Sequence, residues 1–172
     1  MTLGLLILRV VMGLTLAAHG SQKLFGWFEG SGPAGTTAMF TKLGFRWPAA
    51  MALSAGAAEL FGGLLFAAGL VTPFAAIALI VVMLNAIIIV HWQKGFFVTA
   101  GGYEYNLAII AIATAVSAAG PGGDSVDNAL GLAGTLSGEW WALIVLVVAA
   151  AVSIATTTLG REHTMLTGHP AA

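Results

Sequence analysis

The chain alternates between long apolar runs and short breaks rich in glycine, proline or charge. Five of these runs approach the ~20 residues that a membrane-crossing helix requires. The first covers residues 3–20. The second, 48–70, is bounded by Trp47-Pro48 and by Val71-Thr72-Pro73, where proline suits a first helical turn and tryptophan the membrane interface. The third, 73–92, is rich in Ile, Val and Leu, and its length makes it a helix rather than a buried strand. The fourth, 103–119, follows Gly101-Gly102 and stops at Gly120-Pro121-Gly122-Gly123, a run that cannot continue a helix. The fifth, 140–159, is the most uniformly apolar. Within 21–46, Trp27, Phe28, Phe40 and Phe45 alternate with Gly, Lys and Ser, which predicts a short interfacial helix with turns at the headgroup level. Residues 124–138 are small and acidic, and Asp124 or Asp127 can cap a short turn there.

Composition turns this pattern into a class. Of 172 residues 59% are hydrophobic and 8% charged, and mean hydropathy is +0.97. A soluble domain carries roughly 25% charged residues to hydrate its surface, so the chain reads as an all-α integral membrane protein, one membrane domain over 1–172. Net charge is −1 without a basic run, which excludes nucleic-acid binding. There is no cysteine, so disulfides, thiolate nucleophiles and cysteine-held metal clusters are excluded too. Met1-Thr2-Leu3 lacks the basic segment of a secretory signal and Arg9 interrupts the apolar run behind it, so the first helix is expected to be retained. With five crossings, Lys23, Lys42, Arg46, Lys94 and Arg161 share one side. By the positive-inside rule this predicts a cytoplasmic (inner) membrane protein with its N-terminus outside and its C-terminus in the cytoplasm.

Charges inside hydrocarbon cost about 2.5–3.5 kcal/mol each, so each needs a partner. Arg9 and Glu59 are the two intramembrane charges. Around Glu59, Ala52, Ala55, Gly56, Gly62 and Gly63 recur at helical spacing, a small-residue face that fits close helix contact. Arg9 and Glu59 are expected to form an intramembrane ion pair, serving either helix register or a proton or ligand site. A second constellation gathers at the inner end, where His19 closes the first helix, His91 the third, and Glu104 opens the fourth. Gln22, Lys23, Tyr103 and Asn106 are close in sequence, and Ala108, Ala111, Ala115 and Ala118 form a stripe expected to aim Glu104 at neighbouring helices. Two imidazoles and a carboxylate beside an apolar interior can hold and protonate a carbonyl, so a quinone head group fits His19, Gln22, Lys23, His91 and Glu104. The alternative is structural: the histidines cap helix ends and Glu104 accepts backbone N–H groups. No ligand spacing supports a metal. Asn85 is expected to bond across helices, and His163 and His169 fall in the tail. Gly30-Ser31-Gly32-Pro33 does not follow a strand, so it is no dinucleotide fingerprint, and no Gly-x-Ser-x-Gly elbow or other independent catalytic motif is present.

Four motifs in fixed order resemble a known family: Leu8-Arg9-Val10-Val11-Met12-Gly13; His19-Gly20-Ser21-Gln22-Lys23-Leu24-Phe25-Gly26; Ala58-Glu59-Leu60-Phe61-Gly62-Gly63; and Gly101-Gly102-Tyr103-Glu104-Tyr105. Together, over about residues 3–119, they are similar to the DoxX family of small bacterial membrane proteins. The resemblance implies a four-helix transmembrane bundle, to which the run at 140–159 adds a fifth, C-terminal transmembrane helix. It also implies a redox setting. The related DoxD proteins are membrane subunits of thiosulfate:quinone oxidoreductase, and DoxX members associate with sulfurtransferase and superoxide dismutase in oxidoreductase assemblies. Carried over by position, the family's recurring polar residues are Arg9, His19, Gln22, Lys23, Glu59, His91 and Glu104. The expectation is therefore an oxidoreductase-system membrane subunit that binds a quinone-like molecule, acts in redox stress with soluble partners and forms a homo-oligomer. The competing expectations are a non-catalytic scaffold that docks redox enzymes and a pathway for a small metabolite or proton along Arg9 and Glu59.

Overall fold

The computed structural model describes residues 2–161, so His163 and His169 lie outside the described residues. Seven α-helices run in order: α1 (Thr2–Phe25), α2 (Gly32–Lys42), α3 (Pro48–Ala68), α4 (Thr72–Ala86), α5 (Glu104–Ala119), the single turn α6 (Val126–Ala129) and α7 (Glu139–Leu159). No strand occurs among the described residues, only an isolated bridge between Phe45 and Arg161. Past Ala86, α4 widens into a π-helical turn (Ile87–His91) and tightens into a 3-10 turn (Trp92–Lys94).

Four helices have the length and apolarity to cross a membrane: α1, α3, α4 with its extension to Lys94, and α7. Helix α5 is apolar but has 16 residues, about 24 Å at ~1.5 Å per residue, short of the ~30 Å hydrocarbon layer. The expected bundle is therefore corrected in composition. The C-terminal helix is one of the four spanning-length helices, and the fourth apolar run is the shorter one. Nor does α7 sit at the margin, because it packs on both α4 and α5 and buries Val145 and Ala149.

The first helix runs to Phe25 rather than stopping at Gly20. Gly20 lies inside the helix because α1 crosses α3 there: a Cβ on Gly20 would strike the backbone of Gly56 and Leu60. One crossing higher, Gly13 meets Gly63 and Ala67 in the same way. Small residues let the two backbones approach, which is how helices gain contact where lipid offers no hydrophobic drive. The face expected around Glu59 is the one α3 buries: Ala52, Gly56, Glu59, Gly62, Gly63 and Phe66. The break comes instead at Gly26, whose φ of +73° no ordinary side chain adopts comfortably.

Because α1 ends level with Gly56, where Leu24 touches it, about seven residues or ~10 Å of α3 project beyond α1. Helix α2 fills that space against α3 and α1. Thr36 of α2 is 1% exposed, and its hydroxyl donates to the Gly32 carbonyl at 2.7 Å. The short helix expected within 21–46 is thus present as α2 and packs against the bundle. Helix α4 is central, touching α3, α5 and α7, with Ala75, Ala76, Leu79 and Ile80 fully enclosed.

Candidate functional site

A cavity of about 430 Å³ lies between α2, α3, α4 and α7. Its wall is mostly aliphatic and aromatic, and its polar groups are Lys23, Ser54, Glu59, Asn85, His91 and Thr156. A largely apolar pocket with a few convergent polar groups is the usual form of a small-molecule site.

At one end Lys23 Nζ forms an ion pair with Glu59 Oε2. Glu59 is 3% exposed, whereas the Lys23 side chain keeps 24% of its surface open. The expected Arg9–Glu59 pair is therefore not formed. The continuation of α1 past Gly20 to Phe25, about a turn and a half, brings the Lys23 side chain within reach of Glu59, while Arg9 lies at the opposite end of the bundle beside Gly69. Farther along the cavity, Thr156 Oγ1 of α7 donates to Asn85 Oδ1 of α4 at 3.1 Å, the expected cross-helix bond. His91, in the π-helical turn, meets the Gly101 carbonyl through Nδ1 at 2.6 Å. A carbonyl only accepts, so Nδ1 carries the proton of this bond and Nε2 is left for another partner. A π-helical turn costs regularity and recurs at functional sites.

The other members of the expected quinone site do not line this cavity. His19 is exposed and its Nδ1 bonds Gln22 Oε1 at 3.1 Å. Gln22 Nε2 in turn donates to the Phe28 carbonyl at 3.1 Å, bracing a turn in which Phe28 and Glu29 both have positive φ. Glu104 accepts from Val98 N–H at 3.0 Å and pins the loop between α4 and α5. Each of these bonds is made within the residue's own stretch of chain. The alanine stripe does not aim Glu104 inward either: Ala108, Ala111 and Ala115 are exposed, while Asn106, Ile109, Ile110, Ala113, Val116 and Ser117 form the buried face of α5. So of the five residues predicted for the quinone site, Lys23 and His91 meet at the cavity, joined by Glu59.

Arg9 belongs to a separate cluster that the sequence did not signal. It is 0% exposed, and its Nη2 donates to the Asp124 carbonyl at 2.6 Å. Nε and Nη1 have no partner among the described residues, and the Asp124 and Asp127 carboxylates supply the opposing charge. Asp127, also 0% exposed, accepts from Val71 N–H at 2.8 Å, Thr72 N–H at 3.0 Å and Thr72 Oγ1 at 2.7 Å. It thereby caps α4 from 55 residues away, while Ser125 caps α6 by accepting from Asn128 N–H. Asp127 was expected to cap only its own turn. Among the described residues no three His, Asp or Glu side chains converge as metal ligands would.

A family model described as DoxX matches residues 4–92, just over half of the chain. The match takes in Lys23, Glu59, Asn85 and His91 and ends before Glu104. No curated protein and no solved structure matches the chain.

Proposed function

Since the chain belongs to the DoxX family, we propose that it is the integral membrane subunit of an oxidoreductase system and binds a quinone-like small molecule within its bundle. The observation that carries this reading is the ≈ 430 Å³ cavity, apolar over most of its wall yet furnished with the Lys23–Glu59 pair, Asn85 and His91. An apolar wall favours an isoprenoid or aromatic ligand, and the cationic Lys23 and the hydrogen-bonding groups suit its oxygens. In this reading the site keeps Lys23 and His91 of the five residues proposed from sequence, takes in Glu59, and leaves out His19, Gln22 and Glu104, which do not line the cavity. The chain has no cysteine, so in this reading electrons come from a partner rather than from a thiol of its own. The family resemblance points to a sulfurtransferase or a superoxide dismutase as an associated soluble protein, docked at the cytoplasmic face of the inner membrane. The scaffold reading needs only the packed Arg9–Asp127 cluster, which leaves the cavity without a purpose.

The test is purification of the full chain in detergent followed by mass spectrometry of extracted lipids. A quinone is expected at substantial occupancy in the native protein. Lys23→Met should lower it roughly ten- to a hundredfold, the loss expected when a charge-assisted hydrogen bond goes unmade. Absence of any quinone from the native protein would favour the scaffold.

A further inference from the structure

Helices α3 and α7 both pack on α4 but share no packed interface with one another. The cavity is the cleft this leaves, with Val82, Asn85 and Ala86 of α4 as its floor and α3 and α7 as its walls. Where α7 ends, a strap of residues 43–46 crosses the cleft. Arg46 N–H donates to the Gly160 carbonyl at 2.9 Å and Arg161 Nε to the Leu43 carbonyl at 3.0 Å. Phe45 of the strap is buried, lies against Gly160 and packs on Phe40 with ring centres 5.1 Å apart. Phe40, Leu43 and Phe45 all line the cavity, so the strap covers it at the end where α7 emerges. The flank between α3 and α7 has no such cover. Met39 of α2, Ser54 of α3 and Val152 of α7 line the cavity and are nonetheless exposed, Met39 at 42% and Val152 at 40%. At these residues the cavity meets the outer surface of the bundle.

The depth of this mouth decides what can enter. Ser54 lies inside the start of α3 at Pro48 and Val152 inside the end of α7 at Leu159, each by about 10 Å at ~1.5 Å per residue. Both helices have spanning length, so the mouth stands beside hydrocarbon rather than water. On the α3 side Ser54, Ala55 and Ala58 are small and leave it room. Size adds a second constraint. Ligand pockets run from about 300 to 1,000 Å³, and about 430 Å³ holds a ring with the first part of a chain but not a long chain. Resting on the quinone-like occupant proposed above, we infer that the ligand is a bilayer-dissolved carrier with a long apolar tail, that it enters sideways between α3 and α7, and that Ser54 and Val152 form the portal in which its tail remains. The head reaches the polar groups of the cavity while the rest of the tail stays in lipid. Loading by this route never draws the methylenes of the tail into water, where each is unfavourable.

The experiment uses the purified full-length protein in lipid nanodiscs and two probes, a long-chain ubiquinone and the same quinone ring without its chain. Each variant is compared with the native protein probe by probe, and its folding is read from the thermal midpoint. The native protein is expected to bind both probes. Ser54→Trp and Val152→Trp put a bulky ring in the mouth and should weaken the long-chain probe about five- to a hundredfold, the range to which overpacking costs convert. Binding of the chainless ring should stay within about twofold. Val147→Trp, on the same helix at a position that is 67% exposed and does not line the cavity, should change neither. Val152→Phe intrudes less and carries the test if the tryptophan variants do not fold. In folded portal variants, unchanged binding of the long-chain probe, or an equal loss of both probes, would overturn the portal and leave the cavity reading standing. Failure of both probes to bind the native protein would overturn the cavity reading itself.

Discussion

Glu59 is 3% exposed, and a carboxylate at that depth is tolerated only beside a cation. Lys23 supplies it from a side chain that is 24% exposed. Breaking a fully enclosed pair costs about 3–5 kcal/mol, and the partial exposure of Lys23 lowers the expected figure for Glu59→Gln or Lys23→Gln to about 1–3 kcal/mol. In thermal unfolding in one detergent, the double variant should be less damaged than the sum of the singles by at least about 1 kcal/mol. Arg9→Gln combined with Glu59→Gln should instead add within about 0.5 kcal/mol, because the two residues share no partner. Additivity between Lys23 and Glu59 would contradict the pair. Glu59 and Arg9 stood out in the sequence through the cost of burying charge, yet each was assigned the wrong partner. Ending the first helix at Gly20 put Lys23 in a loop and left Arg9 as the only cation within the bundle. The true partner of Arg9 arrives from residue 124, at a sequence separation of 115, and no periodicity links positions so far apart. Asn85 was legible because a lone amide in a long aliphatic run has to bond across helices.

Helix faces were legible to different degrees, and the reason lies in the solvent. In water a polar stripe marks the outside of a helix, but in lipid both faces are apolar and hydropathy loses its contrast. What survives is size and the rare polar residue. On α3 the glycines at 56, 62 and 63 mark the contact face correctly. On α5 the alanines at 108, 111 and 115 mark the wrong one, and the useful signal was Asn106 and Ser117, which lie on the buried side. The glycine face yields a paired prediction. Gly13→Ala places a methyl group against the Gly63 carbonyl and the Ala67 backbone, neither of which can rotate away, so α1 must separate from α3. A loss of about 2–3 kcal/mol is expected, the upper end of overpacking costs. Gly4→Ala meets nothing within 4 Å and should change stability by no more than about 1 kcal/mol, in the stabilising direction, through helix propensity. Comparing the thermal midpoints of the two variants in the same detergent checks this, and equal midpoints would show that the α1–α3 approach is looser than described. The π-helical turn at Ile87–His91 had no sequence signal of its own, since Ile, Val and His are compatible with ordinary helix.

At the scale of the whole molecule the helix directions set where the charges emerge. Thr2 and Leu5 of α1 lie against Gly123 and Gly122, so the start of the chain shares one end of the bundle with the α5–α7 connection. At the other end Arg46 N–H donates to the Gly160 carbonyl at 2.9 Å and Arg161 Nε to the Leu43 carbonyl at 3.0 Å, tying the end of α7 to the loop after α2. Residues 2 and 161 therefore lie at opposite ends of the bundle. Exposed Lys42, Arg46 and Lys94 gather with Arg161 at the second end, and the first end offers only the enclosed Arg9. Basic residues near membrane segments are retained in the cytoplasm, so the second end, with α2 and the His91 turn, should face inward. The absence of native cysteine makes this directly measurable. In intact cells, Lys42→Cys and Lys94→Cys should resist a membrane-impermeant thiol reagent and become labelled only after the membrane is opened. Gly134→Cys, at an exposed position where an added side chain meets nothing within 4 Å, should react at once. The reverse pattern would place α2 and the loop carrying Lys94 outside the cell.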